Sequence, residues 1–126
     1  MRLALDDAGV SPAQVGQVNA HGTSTPLNDA AEAAAIHSVF GPDGPAVTSI
    51  KGVLGHSLGA AGAIEAVAVA LSFQHRLIPP TACTAQVDPE MAIDVVMEAR
   101  AWEPGPTVSN SFGFGGHNGC LVMVPA

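Results

Sequence analysis

Residues 51–75 read KGVLGHSLGAAGAIEAVAVALSFQH, and this stretch decides the fold. Its first part, Lys51–Gly62, is rich in glycine and small residues and carries one histidine, His56. Its second part, from Gly59 to about His75, contains no proline and is apolar at nearly every position. Because a helix that is apolar all round is normally buried all round, the stretch predicts a glycine-rich loop followed by a buried central helix.

Helices and strands alternate on both sides of this stretch. Upstream, we predict a helix at Arg2–Ala8 that is ended by Gly9, a short helical turn from Ser11-Pro12 and a strand at Gln17–Ala20. An alanine-rich helix, capped by Asn28 or Asp29, is then predicted to run to about Phe40, and a strand is predicted at Ala46–Ile50. Downstream, Pro79-Pro80 is expected to end the central helix, and strands are expected at Ile93–Met97, Thr107–Ser111 and Gly119–Val124. This order predicts a layered α/β fold around a mixed five-stranded sheet.

Two other loops have small residues around a chemically active side chain. Asn19–Thr25 places His21 directly after a predicted strand, and Asn110–Asn118 carries two phenylalanines and His117. Small neighbours leave space for a substrate at an imidazole, which donates hydrogen bonds near neutral pH. Open α/β sheets bind ligands at the ends of their strands. We therefore expect the loops of His21 and His56, and the phenylalanine loop, to meet at one edge of the sheet.

Composition excludes some functions. The net charge is −7, and the only strong bases are Arg2, Lys51, Arg76 and Arg100, so no basic patch for nucleic acid is expected. Charged residues make up 12 % of the chain, about half the usual share of roughly 25 %. Part of the surface is therefore expected to be covered by a partner.

Cysteine usage and hydropathy indicate the compartment. Cys83 and Cys120 lack the spacing of metal or redox motifs, and the chain has no signal-like start. The apolar run Leu58–Leu71 contains Glu65 and is shorter than the ~20 residues of a membrane helix. We expect a cytoplasmic protein with reduced thiols and no membrane segment.

Three motifs in this order resemble those of the β-ketoacyl-acyl carrier protein synthases, condensing enzymes of the thiolase fold. They are HGTST at His21–Thr25, KGVLGHSLGAAG at Lys51–Gly62, and NSFGFGG at Asn110–Gly116. The resemblance covers essentially all of residues 1–126 and corresponds to the C-terminal half of such an enzyme. It implies half of a layered αβαβα thiolase-like fold, with a mixed five-stranded sheet and a buried central helix.

The resemblance also implies roles for individual residues. His21 and His56 match the two histidines of the family's Cys-His-His triad, which hydrogen-bond the thioester carbonyl of a malonyl unit while CO2 leaves. Lys51 matches a lysine that supports the surroundings of the second histidine.

Further matches concern substrate binding. Thr23 and Thr25 match hydroxyls that bind the phosphopantetheine arm of an acyl carrier protein. No permanently bound cofactor is implied, because the substrate travels on that arm. Phe112 and Phe114 match the loop that gates the acyl pocket. The resemblance also allows a structural cation at three buried polar residues, which are Asn19, Glu65 and Asn110.

The nucleophilic cysteine of the family has no match here. Cys83, in Thr81-Ala82-Cys83-Thr84, resembles its local context but follows both histidines in a loop, so we do not expect it to be the nucleophile. The resemblance implies that an upstream N-terminal half supplies the nucleophile and the homodimer interface. The chain alone is then inactive, either as a fragment of a longer polypeptide or as a separately made half.

Two alternatives stay open at this point. One is a non-catalytic partner subunit that sets chain length, against which the presence of His21, His56 and Lys51 argues. The other is a thiolase, which fits the phenylalanine loop poorly. His117 stands where many relatives carry threonine, and the sequence assigns it no role; His37 and His75 are expected to be ordinary helix residues.

Overall fold

The computed structural model describes residues 1–126 without a gap. The helices are α1 (Arg2–Ala8), α2 (Pro26–Phe40), α3 (Lys51–Leu54) and α4 (Ala61–His75). The strands are β1 (Gln17–Asn19), β2 (Ala46–Thr48), β3 (Leu77–Ile78), β4 (Asp94–Val95), β5 (Arg100–Ala101), β6 (Thr107–Ser111) and β7 (Gly119–Met123). The predicted helices and five predicted strands are present. The short helix α3, in the segment predicted as a glycine-rich loop, and the paired strands β3 and β5 have no counterpart in the prediction.

Five strands form one mixed sheet in the order β4-β2-β1-β6-β7. The central strand β1 is parallel to β2 and β6, β4 is parallel to β2, and β7 is antiparallel to β6. Because β1, β2 and β6 run in the same direction, the loops that follow them leave at the same edge of the sheet. The predicted mixed sheet is confirmed, and so is the common edge of the three loops.

Different helices cover the two faces of the sheet. One face forms a hydrophobic core with α1 and α2, made of Leu5, Val15, Val18, Ala20, Ile36, Val47 and Val108. Adjacent strand residues point to opposite faces, so Gln17 points away from the core that contains Val18. There Gln17 Oε1 accepts a hydrogen bond of 3.0 Å from Ser72 Oγ on α4. The fold is therefore a sheet between two helical layers.

Helix α4 buries both polar and apolar residues against the sheet and exposes further apolar residues on its outer side. Its buried positions are Ala61, Glu65, Val69 and Ser72. On the outer side Ile64, Val67 and Leu71 are 36, 60 and 46 % exposed. The expectation of burial on every side is wrong for the outer face, because no element of residues 1–126 covers it.

The segment Leu58–His75 passes a length and composition test for a membrane-spanning helix, with 22 % of it buried. Its inward face carries Glu65, whose carboxylate pairs with the Lys51 ammonium inside the molecule. Helix α4 also contacts β6 along the sheet. The helix therefore has the inward contacts of a core element.

Two helix boundaries differ from the prediction. Helix α2 begins at Pro26, with Thr25 at the N-cap position, rather than after a cap at Asn28 or Asp29. The fixed φ of proline suits the first position of a helix. Helix α4 ends before Pro79-Pro80, because Arg76 adopts a left-handed φ of 53° and directs the chain into β3.

Helix α3 packs closely against the loop at Ala82. A Cβ built on Gly52 would overlap the carbonyl oxygen of Ala82, whereas one built on Gly59 would meet nothing within 4 Å. We predict that Gly52→Ala lowers the free energy of unfolding by about 1–3 kcal/mol, because the loop must move. Gly59→Ala is the matched control. Urea unfolding followed by circular dichroism measures both variants, and equal stability would contradict the close packing.

Candidate active site

A buried carboxylate fixes the position of His21. His21 follows β1 and is buried. Its backbone N–H donates to Glu32 Oε1, and the N–H of Gly22 donates to Glu32 Oε2, both at 2.9 Å. Gly22 has a left-handed φ of 44°, and a Cβ built there would lie 2.6 Å from that of Ser49. The glycine after His21 is therefore required by both conformation and space.

The same carboxylate reaches a third element. Asn110 on β6 donates from Nδ2 to Glu32 Oε1 at 3.1 Å. Glu32 was not among the residues expected to form the site. The available signal was a lone acid in a run of alanines, Ala30–Ala35, because a carboxylate on a helix face made of small apolar residues needs partners when it is buried.

His56 is oriented by its own loop. The backbone N–H of Leu58 donates to His56 Nδ1 at 3.1 Å. A ring nitrogen that accepts a hydrogen bond carries no proton, so the neutral ring carries its proton on Nε2. The His56 ring is exposed and therefore presents Nε2 as a donor.

The three loops meet at the predicted edge. The ring centroids of His21 and His56 lie 5.3 Å apart with an interplanar angle of 82°, and those of His21 and Phe112 lie 5.9 Å apart. All three rings line a cavity of about 380 Å³. Its other lining residues are Leu58, Gly59, Ala61, Gly62, Ser111, Gly113, His117 and Gly119. The cavity contains no carboxylate, and its size suits a small acyl group.

Burial controls the charge of His21. Burial lowers the pKa of His21 below the ordinary value of 6.5, and the Lys51 ammonium lowers it further, while the Glu32 carboxylate raises it. Nδ1 of His21 is buried without a hydrogen-bond partner. The ring is therefore neutral at pH 7. Together, the imidazoles of His21 and His56 can offer hydrogen-bond donors to one substrate oxygen.

Lys51 acts at a distance from the imidazoles. It is buried at the start of α3, and its ammonium forms an ion pair with Glu65 on α4. It makes no hydrogen bond to His56. Its ammonium acts instead on His21, whose pKa it lowers by charge repulsion.

The remaining residues expected in the site lie outside the histidine cavity. The hydroxyl oxygens of Thr23 and Thr25 are 2.9 Å from each other, and neither residue lines the cavity. Phe114 is fully exposed at the tip of its loop, unlike Phe112. The structure therefore brings His21, His56 and Phe112 together on one cavity, but not Lys51, Thr23, Thr25 or Phe114.

Cys83 lies in a different place from the histidines. It is exposed, has a left-handed φ of 63°, and lines a second cavity of about 330 Å³ between α2, the sheet and residues 81–93. The two cavities share no lining residue. Cys83 thus has no access to His21 or His56 through either cavity.

Two of the three residues expected to hold a cation have a buried side-chain oxygen without a partner, Glu65 Oε2 and Asn110 Oδ1. They lie on opposite faces of the sheet, because Asn110 bonds to Glu32 on α2 whereas Glu65 belongs to α4. The third residue, Asn19, uses its Nδ2 to donate to Ser109 Oγ at 3.1 Å. Unpartnered oxygens of this kind are suitable ligands for a hard cation. No cluster of three or more histidine, cysteine or acidic side chains forms a metal site, and the cation stays a prediction.

Comparison with known proteins identifies the family. Residues 1–85 match the family model described as beta-ketoacyl synthase, C-terminal domain. A 3-oxoacyl-acyl-carrier-protein synthase 2 from Mycobacterium bovis is 44 % identical over 125 residues, which are 95 % of this chain and 29 % of that protein.

Solved structures agree with the sequence match. The structure titled the ishigamide ketosynthase/chain length factor is 41 % identical with a TM-score of 0.95, covering 99 % of this chain and 31 % of that one. A second structure is titled as a type II PKS acyl-carrier protein in complex with its ketosynthase bound to the hexaketide. Its matched chain is 34 % identical with a TM-score of 0.93, covering 99 % of this chain and 31 % of that one.

These matches cover nearly all of this chain but only part of each relative. The chain spans under a third of the length of the curated relatives it matches. The family model nevertheless covers 85 of its 126 residues, and the two matched histidines meet in one cavity. The chain belongs to the β-ketoacyl synthase family and is a C-terminal part of its thiolase-like fold.

Proposed function

We propose that the protein containing residues 1–126 is a 3-oxoacyl-acyl carrier protein synthase, an acyltransferase that condenses a malonyl unit with an enzyme-bound acyl group. It acts in fatty acid or polyketide biosynthesis. One observation carries the proposal: the imidazoles of His21 and His56 lie 5.3 Å apart on one cavity that has no carboxylate. Two hydrogen-bond donors in such a site stabilise an oxygen that becomes negative during a reaction.

The reaction has two steps, decarboxylation and condensation. The thioester carbonyl oxygen of the malonyl unit accepts hydrogen bonds from His21 and His56. The bond from the methylene carbon to the carboxylate then breaks, its electron pair enters the enolate, and CO2 leaves. The methylene carbon attacks the acyl thioester carbon on a cysteine, the cysteine thiolate leaves, and the 3-oxoacyl chain remains on the carrier protein. His21 remains neutral because of its burial, so it donates without attracting the malonyl carboxylate.

Other residues support this reaction. Lys51, paired with Glu65, anchors α3 below the His56 loop. Thr23 and Thr25 bind the phosphopantetheine arm that presents the substrate. Phe112, whose ring is 5.9 Å from that of His21, and the exposed Phe114 form the gate of the acyl pocket.

We place the nucleophilic cysteine outside residues 1–126, in an N-terminal half that also forms the homodimer interface. The outer face of α4 supports this partner, because Val67 and Leu71 expose an apolar surface while polar residues face the sheet. The acyl carrier protein is the second partner, as in one similar solved structure. Neither nucleic acid nor a membrane takes part, and the protein is cytoplasmic.

A non-catalytic chain-length partner is the second candidate, because one similar structure is titled ketosynthase/chain length factor. The assembled pair of His21 and His56 favours the condensing enzyme. A thiolase ranks third, because Phe112 and the loop that carries it fit poorly with that class.

Removing either imidazole tests the proposed function. In the full-length protein, His21→Ala or His56→Ala should lower the rate of malonyl decarboxylation roughly 10²–10³-fold, because each removes a donor to the enolate oxygen. CO2 release from malonyl-carrier protein measures the rate, with His75→Ala on the surface of α4 as the control. Rates within a few-fold of the parent in both variants would refute the roles.

The position of the nucleophile is tested by acylation. We predict that an acyl thioester labels the full-length protein at one cysteine upstream of residue 1, and that residues 1–126 alone are not labelled. Intact-mass and peptide mass spectrometry locate the adduct, and Cys83→Ser should label like the parent. A specific adduct on Cys83 of the isolated chain would instead assign the nucleophile to that residue.

The lowered pKa of His21 makes stability depend on pH. Below about pH 6.5 an unfolded histidine takes up a proton that the buried folded ring resists. The unfolded state then binds more protons, so the free energy of unfolding should fall as the pH decreases from 7 to 5. His21→Gln should lose part of this dependence. Denaturant unfolding at several pH values measures it, and identical slopes in parent and variant would contradict the assigned shift.

A further inference from the structure

A third imidazole lines the cavity of His21 and His56. His117 follows the turn Phe114–Gly116 and lies on the cavity wall together with Ser111. Its side chain is exposed and makes no hydrogen bond to the protein. The sequence motifs assign no role to His117, but its position puts a donor at the open side of the site.

The backbone around His117 is tightly constrained. Gly115 and Gly116 adopt left-handed φ values of 72° and 81°. A Cβ built on Gly113 would lie 2.7 Å from the carbonyl oxygen of His117, and one on Gly115 would lie 3.7 Å from its ring Cδ2. The Gly113 N–H also donates to Asn118 Oδ1 at 3.3 Å. Larger residues at Gly113 would thus displace the backbone that positions the imidazole.

The three imidazoles differ in what they offer a ligand. His21 is kept neutral by burial, and His56 uses Nδ1 to accept from Leu58. His117 has neither restriction, and the only other polar side chain of the lining is Ser111. No acidic side chain lines the cavity to compete for an imidazole N–H. His117 is therefore the group best suited to bind an anion at the cavity mouth.

We propose that His117 binds the free carboxylate of the malonyl-type substrate and so selects thioesters that carry a second carboxyl group. This inference rests on the proposed condensing function. His21 and His56 hold the thioester carbonyl, and the carboxylate lies one methylene away from that carbonyl. His117, on the same cavity wall, donates an N–H to the carboxylate before it leaves as CO2.

This contact has a particular kinetic consequence. The carboxylate loses its charge as CO2 forms, so the bond from His117 is strongest in the bound substrate and weakens toward the transition state. Interactions of this kind lower KM without raising kcat. Loss of His117 should therefore raise KM and leave kcat unchanged or higher.

The test compares three variants of the full-length protein in malonyl-carrier decarboxylation. We expect His117→Ala to raise KM roughly 5- to 10-fold, the effect of losing one partly exposed hydrogen bond to a charge. His117→Gln, which keeps an N–H donor, should recover most of the affinity, and the surface control His75→Ala should match the parent. Acyl transfer from a thioester without a free carboxyl group should be unchanged in all three.

Each other outcome overturns the inference in a recognisable way. An unchanged KM in His117→Ala shows that the carboxylate is bound elsewhere. A fall in kcat together with a loss of acyl transfer shows that the residue only supports the loop. If neither His117→Ala nor His21→Ala changes decarboxylation, the proposed function fails together with the role of His117. If His21→Ala lowers the rate but His117→Ala changes nothing, only the role of His117 is refuted.

Discussion

The carboxylate of Glu32 is the contact on which the rest of the site depends. It accepts hydrogen bonds from the backbone of His21 and Gly22 and from the side chain of Asn110, at 2.9–3.1 Å. These donors come from the end of β1 and from β6, while the carboxylate itself comes from α2. A buried carboxylate is costly unless it is fully hydrogen-bonded. The three donors therefore both stabilise Glu32 and fix the loop that presents the His21 ring.

A second buried acid organises the other side of the site. Glu65 pairs with Lys51 and thereby ties α4 to α3, the short helix that leads into the His56 loop. Charged groups on the two sides change the pKa of His21 in opposite directions. Glu32 raises the pKa of His21, while Lys51, although paired, lowers it, and burial has the largest effect. The neutral ring is thus a product of the fold and not of a single neighbour.

Sequence patterns predicted the parts of the fold that depend on local signals. The strands at the sheet centre followed from apolar runs. The C-terminal ends of α1 and α2 followed from glycines such as Gly9, which adopts the left-handed φ of a helix C-cap. The role of Glu32 could not be read in this way, because its closest partners, His21, Gly22 and Asn110, lie 10 to 78 positions away along the chain. The two-residue strands β3 and β5 were also too short to produce a periodic pattern.

Helix α4 shows why composition misled the burial prediction. Apolar residues occupy nearly its whole circumference, and such a pattern does not distinguish which face meets the sheet. In the structure the sheet side is the one that needs polar groups, because Gln17 bonds to Ser72 and Lys51 to Glu65. Ala61 and Val69 share this buried face with the polar groups, whereas Ile64, Val67 and Leu71 lie on the outer face. This exposed apolar face and the low charge content of the chain both favour a surface that a partner covers.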